Sequence, residues 1–488
     1  MVAVAERRFA GPRGDIPRPP PVEIPPPLER EMPIRVAVIA EGAITPLGNS
    51  ADETWENYKA GKSGIVEHYY PPYTDTDRKD DKGQKLDPQL GATTAGTIKN
   101  FDPRERLIEP GILPQKEVRF KLDPYAQYAL AAGFETLSKI KTHDGTPLLI
   151  PRLNEDGTPD KERKWIINSK LINPLHAAVV VGCGFGGGDV SAEVMELLKA
   201  KSNPSGDHMM RSLLDRAASS ISQAFGIKGG AEGYVAACAS SGKAMLAALR
   251  KIAMGEADLV LVIGTEGVLS KPVASAEFYW LGALDTGKDP RKVSRSLHKI
   301  RGGFTIAEGA VSIAVANPDW ARRHGIQTNY EIIGYGETSG AGDNVAPNGV
   351  AQEQAMRMAR RRAEKYGQIE GKIINSGHYT GTPLGEESEV LHTQNVLEDM
   401  RGRTVIFASK RLSGHMLGAA GNLSQFLAGK SLQEGIVPGT PFDGEKMGEL
   451  YGWNVPEETR LEPEITHAIT NQFGFGDANV TLWSRRTK

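Results

Sequence analysis

The residue best suited to act as a nucleophile is a cysteine that stands just before a predicted helix. Cys238 follows a run of small apolar residues, and Ser240 and Ser241 are predicted to cap a helix that ends at Gly255. The free N–H groups and the positive dipole at such a helix start favour the thiolate form of a cysteine. A thiolate attacks thioester carbonyls readily. A lone cysteine is more often a small buried apolar residue, so the hypothesis needs supporting residues.

Two histidines and a lysine further along the chain could supply acid–base and hydrogen-bonding groups. His378 follows a predicted strand in IINSGHYTGTPLGEESE, at a strand end where functional side chains converge in α/β proteins. Lys410 and His415 are five residues apart in ASKRLSGHMLGAAG, just before a glycine-rich helix start. A single histidine is more often structural. With Cys238, however, these residues make a nucleophile, two imidazoles and a fixed cation.

A glycine-rich segment near the C-terminus could present backbone N–H groups to a developing negative charge. This segment, NQFGFGDANVTLW, places Phe473 and Phe475 between glycines. The second cysteine of the chain, Cys183, lies in VVGCGFGGG with neither a capping signal nor a nearby base. Cys183 is therefore predicted to be a small buried apolar residue.

The elements that must position these residues are predicted from hydrophobic patterning. Apolar runs rich in Val and Ile alternate with amphipathic stretches, which predicts an α/β fold with sheets covered on both faces. Strands are predicted from Ile34 onward and then at 176–182, 257–264, 310–316, 329–336, 371–377, 403–409 and 479–483. Helices are predicted at 123–138, 190–200, 211–225, 242–254, 352–366, 388–400 and 421–433.

Proline and glycine usage divides the chain further. Nine of the 31 prolines fall in residues 1–33, which predicts an extended tail without a packed element. Residues 66–120, rich in charge, proline and glycine, and residues 143–170, with two apolar runs around an Asp-Gly turn, are predicted to be insertions at the surface. Strand sequences echo one another in the same order in the two halves, but periodicity alone does not establish a repeat.

Composition argues against several classes of protein. The 488 residues carry 58 Lys and Arg against 60 Asp and Glu, and this balance does not favour a nucleic-acid binder. Only two cysteines occur, which excludes a disulfide scaffold or a cysteine-rich zinc site and suits a reducing, cytoplasmic location. No apolar run approaches the ~18–20 residues of a membrane helix. The N-terminus has no apolar core of a secretory signal, so none is expected.

Taken together, the four chemistry-bearing segments resemble the β-ketoacyl-acyl-carrier-protein synthases, the condensing enzymes with a Cys-His-His triad. That family carries TACxSG at its nucleophile, AHGTGTPLGD at its first histidine, KxxxGHxxGAAG-like spacing at a lysine and the second histidine, and NSFGFGGxN near the C-terminus. The segments RVAVIAEGAITPLG, KLDPYAQYALAAG and SRSLHKIRGGFTIAEGA agree as well. The resemblance runs from about Ile34 to the C-terminus and is interrupted by the two insertions.

The resemblance implies a fold, a partner and a reaction. The fold would be the thiolase-like five-layered αβαβα sandwich of two duplicated halves, here 34–320 and 321–488. The chain would form a homodimer and would act on substrates that acyl carrier protein holds on its phosphopantetheine arm, with no cofactor of its own and no metal. The reaction would be acyl transfer to a cysteine, followed by decarboxylative Claisen condensation with a malonyl unit to give a β-ketoacyl product.

Residue roles are carried over by position. Cys238 would take the acyl group, and His378 and His415 would hold the malonyl thioester carbonyl and stabilise the enolate formed on loss of CO₂. Lys410 would fix His378 or the local charge. Glu389 matches a glutamate that organises the site in the family.

The resemblance also assigns the groups that bind substrate. The backbone N–H groups of Cys238 and Phe475 would form an oxyanion hole. Thr380 and Thr382 would meet the phosphopantetheine arm, and Phe473 and Phe475 would contact the substrate. Since decarboxylation places negative charge on a thioester oxygen, donors aimed at that oxygen lower the barrier.

The chain departs from the family pattern where substrate choice is at stake. Tyr379 replaces the glycine after the first histidine, and its bulk is expected to narrow the pantetheine tunnel. Asp477 replaces the last glycine of the Gly-Phe-Gly-Gly loop and is expected to stiffen a loop that moves when the acyl chain enters. Phe185 stands where the family has a residue facing the acyl pocket, so short or unusual acyl chains are expected.

Several alternatives differ in what they require of the sequence. A specialised ketosynthase of polyketide or unusual-lipid synthesis suits the tail and the insertions. A weakly active chain-length partner subunit usually lacks the nucleophile, which is present here. A thiolase needs a second catalytic cysteine, yet none follows Cys238, and initiating synthases have asparagine at the position of His415. A generic α/β binding module would not explain four ordered motifs.

Docking of the partner gives one further expectation. Acyl carrier proteins are acidic, so basic residues should surround the mouth of the substrate tunnel. Lys201, Arg211 and Arg216 are the candidates by position.

Overall fold

The computed structural model describes residues 34–68, 94–442, 444–447 and 452–487. The predicted proline-rich tail, residues 1–33, and part of the predicted insertion at 66–120 lie outside the described residues. Strands occupy the following ranges, in chain order: β1 Val36–Ile44, β2 Ile65–Glu67, β3 Thr94–Gly96, β4 Leu149–Pro151, β5 Trp165–Ile167, β6 Ala177–Gly182, β7 Ala231–Tyr234, β8 Leu259–Glu266, β9 Gly309–Ala316, β10 Tyr330–Ser339, β11 Lys372–Ser376, β12 Thr404–Phe407, β13 Ile436–Val437, β14 Arg460–Leu461, β15 Ile465–Gly474 and β16 Ala478–Arg486.

The α-helices of the described residues alternate with these strands. They are α1 Ala51–Lys59, α2 Gln115–Lys121, α3 Pro124–Lys139, α4 Gly188–Lys199, α5 Gly206–Ser212, α6 Arg216–Phe225, α7 Ser240–Ala253, α8 Val273–Leu281, α9 Pro318–Arg323, α10 Gly349–Glu364, α11 Pro383–Leu397, α12 Lys410–Ser413 and α13 Ala420–Glu434. Short 3₁₀ turns precede α7 and α13, at Ala237–Ala239 and Leu417–Ala419.

Ten of the strands form one sheet whose two halves have the same topology. The first half runs β7-β6-β8-β9-β1 and the second half runs β12-β11-β15-β16-β10. Numbered within its own half, each reads 3-2-4-5-1, with the first three strands parallel and the last two antiparallel to their neighbours. Strands β1 and β10 join the halves through a short antiparallel pairing, Val36 opposite Ile332. The duplication at which the echoed strand sequences hinted is therefore present in the topology.

Three apolar cores separate the layers. The middle core contains the buried residues of α7 and α13 together with residues from strands of both halves, so these two helices lie between the sheet halves. A second core packs α3 and α6 on the outer face of the first half, and a third packs α10 and α11 on the outer face of the second half. The strands inside are apolar almost throughout, as expected for a sheet covered on both faces. The result is a five-layered αβαβα arrangement.

Both predicted insertions contain short antiparallel strand pairing among the described residues. Residues 143–170 contain the antiparallel pair β4–β5, in which Leu149 lies opposite Ile167. Within 66–120, β3 pairs with β2, and α2 follows a π-helical turn at Arg104–Ile108. Among the residues described, none of the helices combines the length and the apolar character needed to cross a bilayer.

Two elements differ from the sequence prediction. The single helix expected at 211–225 is two helices, because the chain is extended at Leu213 and α6 begins only at Arg216. Strand β15 was not predicted because its interior holds polar residues that are buried but hydrogen-bonded: Thr470 donates to Gln425, and Asn471 donates to Glu389. The predicted glycine-rich loop is thus the end of β15 and a tight turn into β16, and Phe473 belongs to the strand.

Candidate active site

The proposed nucleophile stands on a strained turn between β7 and α7. Cys238 is buried and lies in the 3₁₀ turn, directly after Ala237, whose φ of 47° is in the left-handed region. The turn is held by Ser240, whose hydroxyl accepts from the N–H of Ala236 at 2.9 Å and donates to the carbonyl of Ala237 at 2.6 Å. The expected capping of α7 by Ser240 and Ser241 side chains is wrong, since the N-cap position is Ala239 and carries no side-chain cap.

The end of β15 packs against this turn. Gly474 is so close that a Cβ placed on it would lie 2.5 Å from the carbonyl oxygen of Ala236 and 3.3 Å from the backbone nitrogen of Cys238. Only glycine fits this approach without displacing the turn. The next residue, Phe475, therefore enters the site beside the amide of Cys238.

Two imidazole rings face the sulfur of Cys238. The Nε2 of His415 lies 3.0 Å from the Sγ of Cys238, and the rings of His378 and His415 meet edge to face at 5.4 Å between centroids. The Sγ atom and one ring nitrogen of each histidine all lie within 4.8 Å of one another. Cys238 and His415 are 177 positions apart in the sequence, yet with His378 they form one compact group.

A buried lysine and a buried glutamate hold the first histidine from its backbone. Lys410 donates from Nζ to the carbonyl oxygen of His378 at 2.5 Å. Glu389 accepts from the backbone N–H groups of His378 at 2.7 Å and Tyr379 at 2.9 Å, and from the side chain of Asn471 at 3.0 Å. Both charged residues are about 2% exposed. The backbone of His378 is therefore held at its N–H group by Glu389 and at its carbonyl group by Lys410.

Burial sets the protonation of the group. It raises the pKa of the Cys238 thiol to about 12, although the charge of Lys410 opposes the change. Burial, with the nearby charge of Lys410, holds the pKa of His378 and that of His415 well below the usual range. Burial also lowers the pKa of Lys410 to about 8. At neutral pH the site therefore holds a thiol, two neutral imidazoles and an ammonium group.

The expected resting thiolate at Cys238 is thus wrong. Raising the thiol pKa from 9.0 to about 12 corresponds to about 4 kcal/mol against ionisation. A helix N-terminus typically contributes about 0.3–1 kcal/mol and ~2 kcal/mol in favourable cases. Burial therefore outweighs the helix end, and the proton must leave the sulfur during the reaction.

A cavity of about 590 Å³ connects this group to the surface. Trp280 and Leu384 line its outer part and are 71% and 47% exposed, so the cavity opens to solvent there. Thr380 and Thr382 line it as well, with their hydroxyl oxygens 2.9 Å apart. The deeper wall carries Cys238, both histidines, Phe304, Phe473 and Phe475.

A cluster of phenyl rings packs around the sulfur, and two of them, Phe304 and Phe475, also line the cavity. Phe278 is at the centre, with ring centroids 5.6 Å from Phe185, 5.1 Å from Phe304 and 6.2 Å from Phe475. Cys238 belongs to the same apolar cluster. Phe185 and Phe475 were expected near the site, whereas Phe304, which packs edge to face on His415 at 5.0 Å, was not.

The sequence relationships of the chain agree with this geometry. The family model described as "Beta-ketoacyl synthase, N-terminal domain" matches residues 34–317, and "Beta-ketoacyl synthase, C-terminal domain" matches residues 330–441. The chain belongs to the β-ketoacyl synthase family. A similar curated protein, "3-oxoacyl-[acyl-carrier-protein] synthase 2" of Vibrio cholerae serotype O1, is 28% identical over 465 residues, which are 93% of this chain and 99% of that protein.

Solved structures show the fold of this family member. A β-ketoacyl synthase from Burkholderia phymatum is 22% identical with a TM-score of 0.74, covering 93% of this chain and 100% of that one. A type II polyketide ketosynthase, solved with its acyl-carrier protein, is 20% identical with a TM-score of 0.72, covering 94% and 100%. The thiolase-like five-layered sandwich predicted from the sequence is confirmed.

The tyrosine that departs from the family pattern lies mainly in the protein core. Tyr379 is 1% exposed, and a Cβ on Gly377 would lie 2.3 Å from its ring. Its hydroxyl accepts from Asn375 at 3.3 Å. Most of the ring surface is therefore packed against protein, but Tyr379 also lines the cavity, so the narrowing of the pantetheine tunnel by its bulk stays a prediction.

Two further expectations for this β-ketoacyl synthase are wrong. Arg216 is 5% exposed, and Arg211 forms ion pairs with Asp123 and Glu193, so neither offers a free charge to an acidic partner. Lys201 is exposed. Cys183 does have a nearby base, because its Sγ lies 3.3 Å from a carboxylate oxygen of Glu266. A glutamate that ends an apolar strand gives no sequence signal of this contact.

Proposed function

We propose that this family member is a β-ketoacyl-acyl-carrier-protein synthase with Cys238, His378 and His415 as its catalytic residues. It transfers an acyl group from acyl carrier protein to Cys238 and condenses it with the malonyl group of a second carrier to give β-ketoacyl carrier protein and CO₂. The observation that carries the proposal is the grouping of one sulfur and two neutral imidazoles within 4.8 Å at the end of an open cavity.

In the first step the sulfur of Cys238 attacks the thioester carbonyl of the acyl carrier. The C–S bond to Cys238 forms as the C–S bond to the carrier breaks. His415 takes the thiol proton through its Nε2 and returns it to the departing carrier sulfur. Among the described residues the buried Nδ1 of His415 has no hydrogen-bond partner, so no protein group locks this ring in one tautomer.

In the second step the malonyl thioester carbonyl lies between the two imidazoles. With their protons on the nitrogens that face the cavity, His378 and His415 donate to that oxygen while the C–CO₂ bond breaks and its electrons form the enolate. The enolate carbon then attacks the acyl carbonyl on Cys238, and the sulfur leaves and regains a proton. Lys410 supports this charge from behind His378.

The negative oxygen of the acyl group would be held by the N–H groups of Cys238 and Phe475. The repeated topology supports this assignment. The turn at Leu417–Ala419 is the counterpart, in the second half, of the turn at Ala237–Ala239, and Leu417 has a φ of 43° where Ala237 has 47°. In the counterpart turn, Gly418 stands at the position of Cys238 and its N–H already binds a carboxylate oxygen, at 3.1 Å.

The carrier's phosphopantetheine arm would enter past Trp280 and Leu384 and meet the hydroxyls of Thr380 and Thr382. No other cofactor and no metal is needed, since every charge that develops meets a protein donor. Because Phe185 and Phe278 already fill the space beside the sulfur, short acyl chains would be accepted more readily than long ones. Phe473 and Phe475 would contact the substrate near the sulfur.

We also propose acyl carrier protein and a second copy of the chain as partners, and duplicated halves at 34–320 and 321–488. Strand β7 ends the large sheet, with β6 as its one neighbour there, so it can pair with the same strand of a second copy. Light scattering should then give twice the 52.7 kDa chain mass. A monomer mass at micromolar concentration would contradict the dimer.

The function is tested by mixing the protein with malonyl carrier protein and acyl carrier proteins and identifying the products by mass spectrometry. The wild type should give products two carbons longer and an acyl adduct on the Cys238 peptide. Cys238→Gln should release CO₂ without condensing, whereas His378→Gln and His415→Gln should lose both CO₂ release and condensation. His176→Gln, at an exposed histidine, is the matched control. Chain extension by Cys238→Gln would refute the assignment of the nucleophile.

A further inference from the structure

One buried carboxylate gathers donors from two loops beside the site. Glu266, the last residue of β8, is 0% exposed. It accepts from the backbone N–H groups of Gly184 at 2.9 Å, Phe185 at 3.1 Å and Gly418 at 3.1 Å. The thiol of Cys183 donates to it at 3.3 Å. Four donors on one buried carboxylate satisfy most of its lone pairs, so losing any of them is costly.

Three of the four donors come from the segment that carries Phe185. Cys183 follows β6, and its sulfur also accepts from the N–H of Gly186 at 3.1 Å. Glu266 and Cys183 together therefore hold three successive peptide units, those of Gly184, Phe185 and Gly186. The side chain held in this way is the phenyl ring that packs on Phe278 beside the nucleophile.

The fourth donor links this segment to the loop of the second histidine. Gly418 comes three residues after His415 and opens toward α13. A Cβ on Gly418 would lie 2.5 Å from the backbone nitrogen of Gly184, so the two loops touch. Glu266 thus ties the wall beside the sulfur to the turn that follows His415.

We propose that Glu266 is a positioning residue that sets acyl-chain selectivity by fixing how far Phe185 reaches into the acyl pocket. Cys183 assists it as a donor, which gives the second cysteine a function that a buried apolar residue would not have. The proposal rests on the proposed function, because it takes the space around Phe185 and Phe278 as the acyl pocket.

The test is the ratio of kcat/KM for a twelve-carbon over a four-carbon acyl carrier. Glu266→Gln keeps the shape of the side chain but turns an NH₂ group toward N–H donors, so we expect the ratio to rise about tenfold. Phe185→Ala should raise it at least as much. In the Phe185→Ala background, Glu266→Gln should change the ratio by less than about twofold, because the side chain through which it acts is gone.

If Glu266→Gln does not fold, two smaller substitutions at Cys183 test the same role by the same ratio of kcat/KM. Cys183→Ser keeps a donor to the carboxylate and should keep the wild-type ratio. Cys183→Ala removes the donor and should raise the ratio about threefold. A purely structural role would lower the melting temperature and kcat of these variants and leave the ratio unchanged, which would overturn the inference.

The outcomes also separate this inference from the proposed function. If Phe185→Ala leaves the ratio unchanged, the assignment of the acyl pocket fails, and this inference fails with it. If Phe185→Ala shifts the ratio but Glu266→Gln and Cys183→Ala do not, the positioning role alone fails. If Glu266→Gln shifts the ratio equally with and without Phe185, Glu266 acts by another route and the inference is overturned.

Discussion

The charge of Lys410 leads to a prediction for how the rate of decarboxylation depends on pH. Its ammonium group is 2% exposed and donates to the carbonyl of His378, and burial lowers its pKa to about 8 from 10.5. The charge of Glu389 opposes that change. An enolate that forms between His378 and His415 is negative, so a neutral amine at position 410 stabilises it less than an ammonium group does.

The expected size of the effect follows from the titration. Lys410 is charged below its pKa of about 8 and neutral above it, so at pH 9 about one-tenth of the molecules keep the ammonium group. If decarboxylation requires the charge, its rate falls about tenfold between pH 7 and pH 9. His378 and His415 stay neutral throughout this range because their pKa values lie well below the usual one.

The assay follows CO₂ release from malonyl carrier protein by the Cys238→Gln variant from pH 6.5 to pH 10. Using this variant removes acyl transfer and thiol ionisation from the profile. The thiol of Cys238, with a pKa of about 12, is neutral near pH 8, so the substitution leaves the charge beside Lys410 unchanged and the alkaline limb should have its midpoint near 8. Adding Lys410→Arg should remove the limb, because a guanidinium group stays charged to pH 12 or above.

Two results would refute this reasoning. One is a rate in the Cys238→Gln variant that stays level to pH 10. The other is an alkaline limb that keeps its midpoint in Lys410→Arg, which would place the titrating group elsewhere. Lys410→Met gives a second measurement in case the larger guanidinium does not fit, and its rate should be low and independent of pH between 7 and 10.

Three further predictions follow from burial and close packing. Alkylation of Cys238, followed by peptide mass mapping, should rise in rate with pH from 7 to 10 without a plateau because its thiol pKa is about 12, and a plateau below pH 9 would contradict this. Burial raises the pKa of Glu41 to about 7. As the pH rises from 4.5 to 7, this carboxyl group loses its proton in the unfolded chain but keeps it in the folded one, so the free energy of unfolding falls. Glu41→Gln should abolish about 3 kcal/mol of that fall in urea unfolding, and an unchanged dependence of stability on pH would count against this. Gly474→Ala should cost about 1–3 kcal/mol of stability and most of kcat, whereas Gly402→Ala, where nothing lies within 4 Å of the added methyl, is the control and should spare kcat.

The strands and the motif residues were predictable, but their interactions were not. Cys238, His378, Lys410 and His415 each lie in a segment whose residue types match a family pattern, and the apolar strands before them predicted that they would converge. The role of Glu266 was not predictable. Its four donors are mostly backbone N–H groups, and these leave no trace in residue type.

Two of the errors share one physical cause, which is that burial decides what a polar group does. The helix that begins just after Cys238 favoured ionisation of its thiol, but desolvation was larger. Strand β15 was missed because Thr470 and Asn471 are buried and satisfied by side chains from elsewhere in the fold. Such partners become visible only when the fold brings distant segments together.

Two side chains that depart from the family pattern, those of Tyr379 and Asp477, fit beside glycines elsewhere in the chain. The ring of Tyr379 fits because Gly377 has no side chain, at a position where the family motif has alanine. The carboxylate of Asp477 fits because Gly340 has no side chain, since a Cβ on Gly340 would lie 1.5 Å from that carboxylate. In both cases a glycine stands where the larger side chain needs space, so the side chain fits without displacing its neighbours.

The carboxylate of Asp477 adds one hydrogen bond that a glycine could not make, beside the backbone hydrogen bonds of the same turn. This carboxylate accepts from the N–H of Asn348 at 3.2 Å, while the backbone carbonyl of Asp477 accepts from the N–H of Gly340 at 3.0 Å. The N–H of Gly476 donates to the carbonyl of Asn344 at 2.8 Å. The turn that follows Phe475 is therefore tied to the 340–348 segment, part of which lines the cavity. Any movement of Phe475 to admit an acyl chain must break these bonds or carry that segment with it, so the cost of opening is set outside the catalytic group.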